Sequence, residues 1–213
     1  MNSPLKRYDV IKLKSEKAVR RLGYAVNPLL PSLEGVFLHK TTIDVVRRIL
    51  VLNCIVAVAH GFERERARHW ISHNELTSSL SEREREFIDD VSKADHREFM
   101  AQGESLWALV WAVGKIEKID FAQRCSAGLV KMLPDLLNDA PGESWAQSLK
   151  LRTELDIIAA CDLAYRLHWA ITDAHLQGVQ VQSKVPPYVV IERRRALEWM
   201  LQAGNWDDVV LDT

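Results

Sequence analysis

The chain of 213 residues is 47% apolar and carries seven tryptophans, which excludes a disordered polypeptide and is ample for one core. Its 28 basic and 29 acidic residues leave a formal net charge of −1 and are interspersed, so no global charge draws it to nucleic acid or a membrane surface. The start, MNSPLKRYDV, has no apolar run after its basic residues, and the run at 49–59 is interrupted by Asn53 and far short of a ~20-residue span. Neither a signal peptide nor a membrane segment is therefore expected. Cys54, Cys125 and Cys161 form no CxxC pair. Cys54 and Cys161 fall within helical apolar patterns, where a buried reduced thiol is the ordinary case, so a cytoplasmic setting is expected.

In chain order, Ile11, Ala18, Val19 and Leu22 predict a helix from Leu5 to Leu22, stopped by Gly23. Its other face carries Lys6, Lys12, Lys14, Lys17, Arg20 and Arg21. No aromatic residues interleave with these charges as base stacking would want, so a solvated face is the simpler reading and a nucleic-acid contact the sharper one. Asn27-Pro28-Leu29-Leu30-Pro31 reads as a rigid apolar turn whose leucines are expected to plug the core. Thr41 or Thr42 caps a core helix with Asp44 in its first turn and Arg47 and Arg48 near its start, closing at Gly61. A short charged helix with Trp70 spans 62–73. Ser81-Glu82-Arg83-Glu84 is a capping box that opens a helix to about Asp90.

A further helix is expected from about Ala94 to Gly114, with Trp107 and Trp111 on one face as core aromatics. Signals weaken from Lys115 to Ser148: a short helix broken at Pro134 is expected within 126–137, and a loop over 138–144. Val179 to Pro187 reads as an extended connector. Tyr188 to Gln202 resumes helical spacing, with Val190, Leu197 and Leu201 on one face, and Gly204 ends it.

Between these lies the stretch 149–178, LKLRTELDIIAACDLAYRLHWAITDAHLQG. Up to Leu176 it has neither Pro nor Gly, long enough for roughly 40 Å of helix. Leu149, Ala160, Leu167 and Ile171 share one apolar face, and Leu151, Ile158, Tyr165, Trp169 and Leu176 another, so other helices are expected to surround it. Asp162, Arg166 and Asp173 form one polar stripe, and Glu154, Cys161, His168 and His175 the other. No repeat and no low-complexity linker occurs, and no strand pattern survives beyond four or five residues. The reading is an all-α chain, a single domain over 1–213, with seven to nine helices wrapped on one long central helix at about 149–176.

Known chemical signatures are missing: there is no Gly-rich phosphate loop, HExxH, paired CxxC, GxSxG or repeated Glu-x-x-His. No cofactor and no metal site is expected. His168 and His175 lie about 10 Å apart along the axis, too far to hold one ion by themselves. Paired charge is denser. Arg152–Asp156 and Asp162–Arg166 are each four apart, and Glu192 with Arg193 or Arg194 can face the long helix from its neighbour. Such pairs fix helix register when desolvated, because a misplaced one leaves an unpaired charge costing several kcal/mol. The functional alternative is a polar pocket doing anion binding or acid–base work with Asp162, Arg166, His168 and Asp173. The polar cluster to look for is Arg152, Asp156, Asp162, Arg166, His168, Asp173, Glu192, Arg193 and Asp207.

The blocks LPSLEG (30–35), SLWALVWAVGKIE (105–117), LRTELDIIAACDLAYRLHWAITDAHLQG (151–178), VVIERRRALEWM (189–200) and NWDDVVLDT (205–213), taken together, resemble the bacterial domain-of-unknown-function 4272 family. The Asp162–Ala170 run and the Trp206-Asp207-Asp208 ending carry the likeness most specifically. The family usually has His where this chain has Arg194. The resemblance implies an all-helical domain and brings no activity with it. With neither catalytic nor cofactor motif, three functions are carried. The first is a non-catalytic protein-binding role, for example a bacterial immunity or antitoxin-type protein that blocks a toxin encoded nearby, using helical surfaces such as Arg64 to Glu86. The second is an enzyme built on the four long-helix residues. The third is a nucleic-acid binder acting through the basic N-terminal helix.

Overall fold

In the computed structural model, residues 6–90, 95–179 and 185–212 are described. Nine α-helices and three short 3-10 turns make up their regular structure, and no strand occurs among them. The helices are α1 (Arg7–Arg21), α2 (Thr42–Ala59), α3 (Arg64–His73), α4 (Glu82–Asp89), α5 (His96–Ala101), α6 (Gly103–Ala112), α7 (Gly142–Ala146), α8 (Glu154–Leu176) and α9 (Pro187–Met200). The all-α expectation and the helix count both hold. No helix of the described residues is long and apolar enough to cross a membrane.

Local chemistry places the helix ends. Thr41 and Asp44 close a reciprocal cap on α2, and Ser81 and Glu84 do the same on α4. Gly61, at φ +95°, turns the chain out of α2 in the left-handed region that a side chain disfavours. Three boundaries differ from the sequence reading. The helix expected from about 94 to 114 is two, α5 and α6, parted at Gln102 before the weak helix former Gly103; Ala94 itself lies outside the described residues. The loop expected over 138–144 gives way to α7. Gly142 starts it because a Cβ there would meet Leu50 Cδ1 at 2.8 Å, while its N–H donates to Asn74 Oδ1 at 2.8 Å. The connector expected over 179–187 falls partly outside the described residues, at 180–184.

The third difference concerns the long helix, which starts at Glu154 with Thr153 as its cap, not at Leu149. Residues 149–153 approach in extended form, and the Arg152 N–H donates to Ala112 O at 2.8 Å. The helices stack in the order α1, α8, α9, α6, α2, with α3 and α4 against α2 and α5 touching α2, α6 and α9. The most enclosed are α6, buried throughout except at Trp107, and α2, buried from Val45 to Ile55 except at Arg47. The α8 helix is covered by α1 and α9, and its end emerges, with Leu176 79% exposed. One apolar cluster nevertheless runs from Val19 to Val209.

The proline turn is also built differently. Leu29 is 89% exposed and Leu30 half-buried, so neither plugs the core. The turn is fastened by its carbonyls: Lys12 Nζ donates to Pro28 O (2.7 Å) and Leu30 O (2.6 Å), and Arg166 Nη2 to Pro31 O (2.8 Å). The chain turns here, with the Leu30 N–H toward Asn27 O at 3.4 Å, and the carbonyls of Pro28, Leu30 and Pro31 meet the two cations while Leu29 faces solvent.

Candidate functional site

The polar stripe of α8 does meet partners, in two places. Toward α1, Asp162 and Arg166 form a two-pronged ion pair, Nε–Oδ2 and Nη2–Oδ1 both 2.9 Å, with both side chains buried. Glu16 of α1 stands 3.9 Å from Arg166 Nη1 and is buried too. Toward α9, Arg194 lies over the Tyr165 ring (4.8 Å), donates through Nη1 to His168 Nδ1 (2.8 Å) and through Nη2 to Asp212 O (2.9 Å), and pairs with Glu198 (3.2 Å). A guanidinium only donates, so His168 accepts at Nδ1 and is neutral there. Burial and then the Arg194 charge press the imidazole pKa down to about 4.

The four residues nominated for catalysis thus do not converge. Asp162 and Arg166 face α1, His168 faces α9, and Asp173 lies half-buried near the end of α8, held by Gln177 Nε2 at 2.9 and 3.0 Å. The one lone pair His168 could use as a base at Nδ1 is spent on Arg194.

The rest of the nominated cluster is dispersed. Arg152 does not pair with Asp156: it precedes the helix, and its guanidinium ties Trp111 O (2.9 Å), Ile116 O (2.7 Å) and Glu117 O (3.1 Å) while stacking on Trp111. Asp156 instead takes the Thr153 hydroxyl at 2.6 Å as part of the cap. Glu192 and Arg193 face α6, not α8. The Ser105 hydroxyl lies 2.8 Å from Glu192 Oε2, and burial pushes that carboxyl above its usual range. Arg193 Nε and Nη2 donate to Glu104 Oε2 at 2.9 and 2.6 Å, and further donors reach Asp120 O and Gln123 O. Glu104 Oε1 in turn accepts the Cys125 N–H at 2.9 Å.

Asp207 belongs elsewhere, in an open cleft of about 460 Å³ between the start of α2, the 78–82 turn and the C-terminal tail. Lys40 lies 5.2 Å from the Trp199 ring centre and Arg48 5.0 Å from that of Trp206, and the two indoles meet edge to face. Arg48 is 4% exposed and Nη2 donates to Glu84 Oε2 at 2.6 Å, but Arg48 Nε and Glu84 Oε1 have no partner. Sequence reasoning placed Arg48 and Glu84 on their helices without pairing them, and missed Glu104 altogether. The available signal was an arginine set among Val45, Ile49 and Leu52.

Of the basic face of α1, Lys12 is committed to the proline turn, Lys6 to Glu34 (2.8 Å), and Arg20 lies 3.8 Å from Glu16. Cys54, Cys125 and Cys161 are free thiols, and burial raises the pKa of Cys125 to about 11. Among the described residues no three His, Cys, Asp or Glu side chains group as metal ligands do.

Fold and site together define an all-α bundle whose helices are cross-tied by buried arginine–carboxylate pairs. The family model described as Domain of unknown function (DUF4272) matches residues 11–209, and the chain belongs to that family. Comparison with curated proteins and with solved structures gives no match. Of the two runs that carry the likeness most specifically, Asp162–Ala170 supplies the ties to α1 and α9, and Trp206–Asp208 lines the cleft.

Proposed function

We propose that this chain is a single-domain, non-catalytic protein-binding protein, of the immunity or antitoxin type that neutralises a toxin encoded nearby. What carries the reading is an open apolar groove between α1 and α8, about 640 Å³ in volume. Val10, Ile11 and Ala18 form one wall and Leu155, Ala159 and Leu163 the other, a spacing that suits the apolar face of a partner helix. Arg7 and Lys14 stand on the α1 side, with no ion-pair partner among the described residues. They favour an occupant with acidic residues beside its apolar stripe. The catalytic alternative draws less support, because its four residues open on no common space.

The test is co-expression with the product of the adjacent gene, followed by tagged co-purification and size-exclusion chromatography. The wild-type chain is expected to hold that partner and relieve its toxicity. Ala159→Arg, which fills the groove, is expected to lose both while keeping its helical circular dichroism. Retention of the partner by Ala159→Arg would remove the groove from the account. Failure of the wild type to bind any neighbour-encoded protein would remove the function.

A further inference from the structure

We propose that Glu192 is held as a neutral carboxylic acid whose proton clasps α9 to α6, and that losing this proton as the medium turns alkaline loosens the seam. The clasp is separate from the α1/α8 groove and does not depend on it.

Three oxygens meet at the seam. Ser105 Oγ, in the first turn of α6, lies 2.7 Å from Glu192 O and 2.8 Å from Glu192 Oε2. Both distances are those of full O–H···O hydrogen bonds, and each such bond takes a proton. The serine hydroxyl has one proton to give and the backbone carbonyl has none. Given to the carbonyl, it leaves Oγ and a carboxylate oxygen facing each other lone pair to lone pair. Given to the carboxylate, it leaves Oγ and the carbonyl in the same conflict. A carboxylic acid resolves both: Glu192 Oε2–H donates to Oγ, and Oγ–H donates to Glu192 O.

The surroundings favour the uncharged form. Ser105 and Glu192 are both buried. Burial pushes this carboxyl above its usual range, against the pull of Arg195, and Glu98 of α5 adds to the rise. The other charges around the seam are engaged elsewhere. Glu98 pairs with Arg83 of α4, and Glu104 of α6 with Arg193. On the α8 side, Arg194 holds His168, Glu198 and Asp212 O. Arg195 is the one cation turned to Glu192, with Nε 3.5 Å from Oε1, and its side chain is 26% exposed. Ionisation therefore exchanges a bond between two helices for an ion pair within α9 that opens to solvent. The folded chain keeps the proton longer than the unfolded chain does. The clasp is thus at full strength below the ordinary value of 4.5 and is lost as pH rises from there through the raised folded value.

Carboxyl carbon NMR of the full chain, labelled at glutamate, tests this directly. At about pH 6, where ordinary glutamates are ionised, one signal is expected to remain at the acid position and to be absent from Glu192→Gln. Glutamine keeps an N–H donor toward Ser105 without a charge, so this variant is expected to fold. In urea unfolding, the folding constant of the wild type relative to the variant is expected to fall by about tenfold per pH unit between the unfolded and folded values. No acid signal at that pH, or one that persists in Glu192→Gln, overturns the proposal. So does a constant ratio between the two chains across that range. Failure of the uncharged variant to fold would show that the charge itself is needed, and overturns it as well.

Discussion

Arg193 and Arg48 are both almost wholly buried and both face a glutamate from another helix, yet they are used differently. Arg193 sits where α9 meets α6 and spends Nε and both terminal nitrogens on Glu104, Asp120 and Gln123. Arg48 sits beside a cleft and makes one bond, leaving Nε without an acceptor. Burial alone therefore does not say how an arginine is bonded: Arg193 engages all three of its nitrogens and Arg48 one. A guanidinium whose N–H groups are all met ties its helices together, and one with an unmet buried N–H carries a desolvation cost.

That contrast can be broken by substitution. Arg193→Ala strands the Glu104 carboxylate in the interior and is expected to cost about 3–5 kcal/mol in urea unfolding, whereas Arg193→Met with Glu104→Leu recovers most of it. A loss below about 1 kcal/mol in the single variant would deny Arg193 its structural role. Arg48→Met is expected to cost less, about 1–3 kcal/mol, because it removes one hydrogen bond where the loss of Arg193 removes four. An equal loss for the two arginines would erase the distinction. Ser81→Ala, which removes half of the reciprocal cap, is expected to cost about 1 kcal/mol.

The smallest effect concerns pH. His168 has its pKa lowered to about 4 from an ordinary 6.5 by burial and by Arg194. The fold thus favours the neutral ring, and the unfolded chain takes up the proton first as pH falls. Stability is full above pH 6.5 and declines as pH drops toward 4, by on the order of 1 kcal/mol once solvent screening of this half-buried ring is allowed for. His168→Gln is expected to flatten that part of the profile relative to wild type; parallel profiles would assign the decline to the carboxylates.

Much of the frame was legible in the sequence, and the exceptions have physical causes. The capping box at Ser81 is local and legible, the cap of α2 is legible to within Thr41 or Thr42, and the Asp162–Arg166 pair is legible because both residues lie within one helix. Arg152 and Asp156 share that spacing but do not meet, because the helix begins between them at Thr153; four residues mean one turn only inside a helix. The partner of Arg193 stands 89 residues away, on α6, and no local pattern announces it. The cleft assembles Lys40, Arg48, Ser79 and Trp206 from three distant segments, so each residue was visible and the site was not.

The proline turn at 27–31 has a consequence for how this chain can change over time. Because Lys12 and Arg166 grip main-chain oxygens there, the identity of the side chains hardly matters, whereas adding or deleting one residue would shift every oxygen out of reach. Leu29 is thus a natural position for a cysteine bearing a dye or spin label, and the length of that turn is the property that evolution has least freedom to alter.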